Sequence, residues 1–564
     1  MSKATKLELT WIGKENRPRL EPRILLEDET KSYHAKVRQS ERDIFDNKLI
    51  CGDNLLALKA LEQRYFGAIN CIYIDPPYNT GAAYEHFDDG LEHSLWLSLI
   101  RERLEILWRL LAPDGSFWVS IDDYEMPYLR VLMDELFGRE HFIAANIWQK
   151  RYSRENREAI GDVHEYVIVY SKSPETFKLK RNLLPLTDEQ KKVYKNPNGD
   201  PKGPWRTIPI TAQAGHATKA QFYTITAPSG KRFDPPPGNC WRYSKEAFEK
   251  RRGEGRIYFG KDGNSQPTTI RYLSDVPGAV PWTWWPHEEV GNTDEAKKEM
   301  LSLFNEETPF DTPKPERLMN RILHIATNPG DLVLDSFAGS GTTGAVAHKM
   351  GRRWIMVEIG QHCDTHIIPR LRKVIDGTDE GGITKIVGWK AGGGFRHFRL
   401  APSLLERDKF GNWIISRQYN AAMLAEAMCK FEGFTYAPSD TEYWMHGHST
   451  ERDFIYVTTQ TFTREQLQKL SDEVGENRSL LVCCSAFRVK DVSQFPNLTI
   501  HKIPKMVLNR CEWGRDDYSV EIKSLPEAPT PPEPAPVAPT NGRKKSANGS
   551  MNLFEAAAEG SHGR

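Results

Sequence analysis

From Lys48 onward, apolar and polar positions fall into blocks whose period switches repeatedly between two residues and about 3.6. Leu49-Ile50-Cys51 reads as a short strand, Gly52-Asp53-Asn54 as a turn with an acid at a helix N-cap position, and Leu55, Leu58 and Leu61 open a helical period. A second apolar run, Ile72-Tyr73-Ile74, ends abruptly in Asp75-Pro76-Pro77-Tyr78-Asn79-Thr80-Gly81. Residues 95–111 then carry leucines at helical spacing with Trp96 and Trp108, and Pro113-Asp114-Gly115 predicts the stop. Residues 117–121 form the next predicted strand, ending in Asp122-Asp123, and 126–137 the next helix, ended by Gly138. Such alternation predicts a parallel sheet covered on both faces.

The alternation lapses between about 180 and 310, where prolines, glycines and tryptophans (Trp205, Trp241, Trp282, Trp284, Trp285) mix with basic residues, so an inserted, loop-rich module is expected there. It returns at Glu316 with a helical period, a break at Asn328-Pro329-Gly330 and the strand Asp331-Leu332-Val333-Leu334-Asp335. That strand runs into Ser336-Phe337-Ala338-Gly339-Ser340-Gly341-Thr342-Thr343-Gly344 and a helix, and a further short strand ends in Glu358. Residues 403–522 read as another α/β-like unit without a catalytic constellation. Beyond it, seven prolines between Pro526 and Pro539 predict a disordered, partly polyproline tail.

Composition narrows the picture only a little. A chain of 564 residues exceeds one hydrophobic core, and equal numbers of basic and acidic residues (76 each) leave any nucleic-acid surface to a local patch. The eight cysteines are scattered with no Cys-x-x-Cys pair, which predicts buried thiols of a reducing compartment and neither a zinc site nor a disulfide framework. The charged first 23 residues lack a signal-peptide core and no apolar run is long enough to span a bilayer, so a cytoplasmic protein without membrane contact is expected.

Two loops carry the candidate chemistry. The loop after the carboxyl end of a strand in an open α/β sheet faces the ligand crevice, which makes Asp75, the Pro76 carbonyl and the Tyr78 ring candidates to meet a substrate. The glycine turn after Asp335 lets a ligand approach backbone, and Glu358 closes the next strand 23 residues later. This is an arrangement that binds an adenosine-containing cofactor, with the acid on the ribose hydroxyls. Thr342-Thr343 stand where a P-loop needs lysine, and the third glycine of a dinucleotide fingerprint is not at its spacing. S-adenosylmethionine is the natural remaining candidate.

Asp75-Pro76-Pro77-Tyr78 followed much later by Phe337-Ala338-Gly339-Ser340-Gly341 resembles the paired signatures of amino-group DNA methyltransferases of the β class, in which the catalytic motif precedes the cofactor motif. Gly52-Asp53-Asn54, Asn79-Thr80-Gly81, Ser120-Ile121-Asp122, His164-Glu165-Tyr166, Trp241-Arg242-Tyr243-Ser244, Lys314-Pro315 and Gly392-Gly393-Gly394-Phe395 extend the resemblance to the modification subunits of type III restriction-modification systems. The resemblance covers roughly residues 45–400.

It implies an α/β, circularly permuted, Rossmann-like S-adenosylmethionine-dependent methyltransferase fold with an inserted target-recognition domain and a C-terminal α/β domain. The expected divisions are an arm (1–45), a catalytic half (46–180), the target-recognition domain (181–310), a cofactor half (311–400), a partner or oligomer domain (401–522) and the tail (523–564). The catalytic set it implies is Asp75, Pro76, Pro77 and Tyr78. The cofactor set is Asp53, Lys314, Pro315, Asp335, Phe337, Gly339, Gly341 and Glu358, with no metal. Lys150, Arg151 and Arg154 are candidate DNA contacts.

The implied reaction is methyl transfer from S-adenosylmethionine to the N6 amine of a flipped-out adenine in duplex DNA. Implied partners are double-stranded DNA, a second copy of the chain, and a restriction subunit bearing helicase and endonuclease activities. Cytosine N4 poses nearly the same chemical problem and stands as the alternative target. A non-catalytic DNA-specificity subunit is the alternative of another class, and methylation of RNA or of a protein glutamine stays open.

Overall fold

In a computed structural model of the chain, the described residues are 8–79, 83–84, 87–88, 93–153, 159–304, 310, 312–503 and 505–519. Thr80, Gly81, Arg154 and the predicted tail from 523 therefore lie outside the described residues. The main sheet is built, in chain order, from β1 (Leu25–Glu27), β2 (Asn47–Cys51), α1 (Asn54–Tyr65), β3 (Ile69–Ile74), α2 (His93–Leu110), β4 (Leu111–Ile121), α3 (Met126–Phe137), β5 (Phe142–Gln149), β6 (His164–Ser171) and β7 (Trp284–Trp285). It continues with α4 (Glu316–Ala326), β8 (Leu332–Asp335), α5 (Thr342–Lys349), β9 (Arg353–Glu358), α6 (Ile368–Asp376) and β10 (Gly394–Leu400).

The spatial strand order is β1-β10-β2-β9-β8-β3-β4-β6-β5-β7. Strands β10, β2, β9, β8, β3 and β4 are mutually parallel, whereas β6 turns antiparallel to β4 and β5. The later half of the chain thus inserts β8 and β9 between β2 and β3 of the earlier half. Successive side chains on a strand point to opposite faces, and both faces are dry. Ile72, Ile74 and Leu334 pack into one apolar layer with the inner faces of α1, α2 and α3, while Cys71, Tyr73 and Val333 pack into the other with residues of α4, α5 and α6. The near-continuous apolar runs of β3 and β8 follow from that double burial.

Local chemistry sets the element ends. Asp53 caps α1 by accepting the Leu56 N–H at 3.0 Å, and Gly138, at φ 93°, closes α3. Pro113-Asp114-Gly115 behaves differently from the expectation of a separating loop: β4 begins at Leu111, paired with Ile69, and the register shifts before Cys71 meets Ser116. Gly115 is needed there, since a Cβ would lie 2.9 Å from the Ile69 carbonyl oxygen.

The expectation for the cysteines is corrected. Cys51, at the end of β2, and Cys363, in the turn after β9, are joined by a disulfide across 312 residues, leaving six free cysteines. Spacing along the chain could not show this, because the two sulfurs meet only through the β2–β9 pairing.

The N-terminal segment is anchored. Lys14 pairs with Glu8 and Glu135, Arg17 with Glu102 and Glu105, and β1 adds antiparallel to β10. Between 181 and 310 small sheets appear, among them Trp205–Pro209, Ile257–Tyr258 and Thr268–Tyr272, with a separate apolar cluster around Ile210, Ile225, Trp241 and Phe248. Trp284–Trp285 departs from that loop-rich module and extends the main sheet beside β5, with Trp285 buried in its core. From Thr435 to Lys502 a five-stranded sheet forms, packed against helices Ala421–Glu432 and Arg464–Val474. Among the described residues no helix is long and apolar enough to cross a membrane.

Helices α4, α5 and α6 are tied together by buried charge. Lys349 Nζ, fully buried, lies 2.8 Å from Glu316 and 2.7 Å from Asp379, and Arg370 reaches Glu316 at 2.9 Å. Burial alone would raise the Glu316 carboxyl, but Arg370 and Lys349 hold it below its ordinary value. Lys349→Met is expected to leave buried carboxylates short of a partner and to lower stability by about 3–5 kcal/mol, read as a reduced urea midpoint at neutral pH.

Candidate active site

The parallel pairing of β8 with β3 (Val333↔Cys71, Leu334↔Ile72) sends both loops off the same edge of the sheet. The chain winds one way from β8 to β9 and the other way from β3 to β4, so their boundary is a topological switch point, where open α/β sheets form a ligand crevice. A cavity of about 220 Å³ lies there, bounded by Asp75 to Tyr78 on one side and by Asp335, Phe337 and Gly339 on the other. Lys314, Glu165, Lys150, Arg151, Asp122 and Phe310 complete much of its wall.

The loop after β3 is held from several sides. The indole N–H of buried Trp96 donates to the Pro77 carbonyl at 2.6 Å, adding a hydrogen bond to the φ restriction of two prolines. Asn79 is the single non-glycine with positive φ among the described residues, at 58°. Its amide donates to Glu125 Oε1 at 2.7 Å, an oxygen that His93 Nδ1 also meets at 2.6 Å. These contacts hold Asn79 in the left-handed region that asparagine tolerates better than most residues.

At the centre, the Tyr78 hydroxyl lies 2.8 Å from Asp75 Oδ1 and 3.0 Å from Glu165 Oε2, and its one proton serves only one of them at a time. Lys314 Nζ donates to that hydroxyl at 3.0 Å, and sits 2.8 Å from Asp75 Oδ2 and 3.5 Å from Glu165 Oε2. Lys150 closes the chain of charges at 3.5 Å from Glu165 Oε1 and 2.8 Å from Asp162. Burial raises the Asp75 carboxyl above its ordinary value, against the lowering effect of Lys314. Burial would lower the Lys314 ammonium, but Asp75 and Glu165 raise it above the ordinary lysine value. Burial pushes Asp122, in the same wall, up to about 6.

Across the cavity, Asp335 organises the glycine turn. Its Oδ1 accepts the Phe337 N–H at 2.9 Å and its Oδ2 the Thr343 hydroxyl at 2.5 Å, and burial pushes its carboxyl up to about 7. Gly341, at φ 76°, starts α5, and a Cβ there would come within 3.0 Å of Ile367. Gly339, at φ 53°, presents open backbone toward the Phe310 ring. Ser336 Oγ in the same turn is buried without a hydrogen-bond partner. Aromatic faces, bare glycine backbone and a buried acid suit a compact nucleoside-bearing cofactor.

The expected cofactor set is only partly gathered here. Asp335, Phe337, Gly339 and Lys314 line the cavity. Pro315 sits at the N-cap of α4. Lys314 faces the Asp75 loop as an ion-pair partner. Glu358 ends β9 as expected, but its carboxylate is taken up locally by the N–H groups of Gly339 (2.7 Å) and Gly360 (2.9 Å) and by His362 (3.0 Å). Asp53 does not reach the cavity. Besides capping α1 it accepts the Tyr518 N–H at 2.9 Å and faces Arg103 at 3.4 Å, so both its oxygens are occupied.

Of the candidate DNA contacts, Lys150 and Arg151 line the cavity, with Lys150 already in ion pairs, and Arg154 lies outside the described residues. Sequence reasoning assigned no role to Glu165, Asn79, Glu125, Trp96 or Phe310. The motifs Asn79-Thr80-Gly81 and His164-Glu165-Tyr166 were the available signals, for Asn79 and Glu165.

Asp335 makes stability pH-dependent with a definite sign. Its folded carboxyl titrates above the unfolded one, so its contribution is fully present at low pH and is lost as pH rises toward and through about 7. Asp335→Asn keeps both hydrogen bonds, through its oxygen to Phe337 and its amide to Thr343. The variant is expected to remove a slope of about 1.4 kcal/mol per pH unit between roughly pH 4 and 7, measured by denaturant unfolding across that range.

Several known proteins are similar to this chain. Residues 69–367 match a family model described as DNA methylase. The StyLTI Mod subunit of a type III restriction-modification enzyme from Salmonella typhimurium is 31% identical over 402 residues, covering 63% of this chain and 60% of that protein. The probable type III HindVI Mod subunit from Haemophilus influenzae is 31% identical over 417 residues, covering 65% and 55%. The type II methyltransferase M.EcaI from Enterobacter cloacae is 32% identical over 323 residues, covering 56% and 67%. This chain therefore spans between half and two thirds of the length of the two Mod subunits. A family match across 299 residues that includes the Asp75 loop, the Asp335 turn and the sheet joining them shows that the chain belongs to the N6/N4 DNA methylase family.

Proposed function

We propose that the protein transfers a methyl group from S-adenosylmethionine to the N6 amine of adenine in duplex DNA, as the modification subunit of a type III restriction-modification system. The observation that carries this reading is the shared cavity, in which an Asp-Pro-Pro-Tyr loop faces a strand-glycine turn-helix of cofactor type across one sheet edge. The Mod names of the two relatives support the type III assignment.

Bound at the Asp335 turn, the cofactor supplies an electrophilic methyl on a sulfonium. The exocyclic amine is a weak nucleophile, because its lone pair is delocalised into the ring, and it gains positive charge as it attacks. Fixed acceptors placed where that charge develops lower the barrier most. Asp75 provides the carboxylate and Pro76 a carbonyl, held before the base arrives by the proline pair and by Trp96 on the Pro77 carbonyl. Tyr78 offers its ring to the base. A base inside a duplex cannot reach this position, so it must be flipped out at a cost of a few kcal/mol, offset by stacking and edge contacts.

Duplex DNA is the substrate of this function, and a second copy of the chain and a helicase-endonuclease subunit are the further partners that the type III reading implies. Asp75→Asn is expected to lower methyl transfer to unmodified genomic DNA by about 10²-fold or more, with S-adenosylmethionine affinity by calorimetry nearly unchanged. Nucleoside digestion of the product with mass spectrometry is expected to yield N6-methyladenine. N4-methylcytosine as sole product would overturn the choice of base, and full turnover by Asp75→Asn would overturn the mechanism.

A further inference from the structure

The Asp75 carboxylate, meant for an amine, is already occupied by one. Lys314 Nζ has three oxygen partners, Asp75 Oδ2 at 2.8 Å, the Tyr78 hydroxyl at 3.0 Å and Glu165 Oε2 at 3.5 Å, and it stands 5.0 Å from the Tyr78 ring centre and 5.9 Å from that of Trp148. A nitrogen cation enclosed by a carboxylate, a hydroxyl and an aromatic face has the surroundings that a methylated exocyclic amine would require. A sulfonium methyl donor carries one positive charge and an attacking amine gains another, so a lysine left on Asp75 would oppose both.

We propose that Lys314 is a positioning residue that stands in for the target amine, holding Asp75 and Tyr78 in their reactive arrangement until the flipped base arrives and then shifting its ammonium to Glu165. The inference rests on the methyl-transfer reading above. Glu165 is built as the receiving site: its Oε2 already lies between the Tyr78 hydroxyl and Lys314, and Lys150 balances its other oxygen. The shift is short, because Nζ is already within ion-pair distance of both carboxylates. No bond is made or broken in it, and the site's charge is unchanged when Lys314 moves.

The exchange has a pH signature. Asp75 offers the amine a full negative charge, opposite the positive charge that develops, only when ionised. The groups around it are Lys314 ahead of α4, Glu165 at the start of β6, Lys150 after β5, Asp122 after β4, Asp335 at the end of β8, and Tyr73 and Tyr78 on its own segment. Of these, Lys314 favours the ionised carboxyl and Glu165 disfavours it. Removing either residue therefore moves the acid limb of the chemical step in opposite directions.

The test uses the full chain, unmethylated bacterial genomic DNA and S-adenosyl-[methyl-³H]methionine, with single-turnover rates followed from about pH 5.5 to 9. Lys314→Met is expected to move the acid limb upward by about one pH unit or more, with about a tenfold loss below the limb and recovery above it. Its S-adenosylmethionine affinity by calorimetry is expected to stay within about threefold of wild type, where one pH-independent tenfold loss would mean about 1.4 kcal/mol. Glu165→Gln, of nearly the same shape, is expected to move the limb downward while lowering the plateau, because Lys314 then has nowhere to go. An unshifted limb in Lys314→Met, a limb shifted the same way in both variants, or lost cofactor binding with an unshifted limb would each overturn the proposal. Absence of transfer by the wild-type chain at every pH would instead count against the methyl-transfer reading itself.

Discussion

The parallel hydrogen-bonded pairing of β8 against β3 is the constraint on which the site depends. Two segments about 260 residues apart in the chain run side by side, so that Asp75 and Asp335 leave the same edge. Backbone pairing of this kind is indifferent to the order in which strands appear along the chain. That indifference is why the sheet can be assembled with the strand before Asp75 early in the chain and the strand ending in Asp335 late. The burial of both sheet faces then fixes register, because a one-residue slip would carry Ile72 and Ile74 into the layer of Cys71 and Tyr73 and the reverse.

Around that pairing the molecule buries charge in two ways. Behind the glycine turn, Lys349, Glu316, Arg370 and Asp379 form a buried set that ties α4, α5 and α6 together, with Arg370 also reaching Ser340 and Thr342 of the cavity wall. Inside the crevice, Asp75, Lys314, Tyr78 and Glu165 share protons and partners in more than one permissible arrangement, since one hydroxyl faces two carboxylates and one ammonium faces three oxygens. The first set favours a single structure. The second has alternatives of similar geometry, which suits a place where an amine must enter and leave.

The crevice also shows how local needs compete with a ligand for the same side chains. Glu358 and Asp53 sit at strand ends, as expected of cofactor contacts, but each carboxylate is taken up by nearby donors: Gly339, Gly360 and His362 for one, Leu56, Tyr518 and Arg103 for the other. A strand-terminal acid must satisfy its oxygens somewhere, and part of that need is met by the turn or helix that begins just after it, through Gly360 and His362 for Glu358 and Leu56 for Asp53. Tyr518 is a different matter, since it arrives from the far end of the described chain and could not be anticipated from any motif around Asp53.

By itself the sequence determined those features that are written in short stretches. The strand character of residues 72–74 and 332–334 follows from unbroken apolar runs, the stiffness of the Asp75 loop from two adjacent prolines, the helix start at Asn54 from an N-cap aspartate, and the family from the two signature motifs in their permuted order. What the tertiary structure alone decided are contacts between groups distant in the chain: Lys314 on Asp75, Glu165 on Tyr78, Cys51 on Cys363, Trp284–Trp285 on the edge of the main sheet. The division has a physical cause. Period, propensity and capping are interactions among near neighbours and leave a readable pattern, whereas an ion pair or a disulfide depends on where two strands end in space, and residue spacing carries no trace of that.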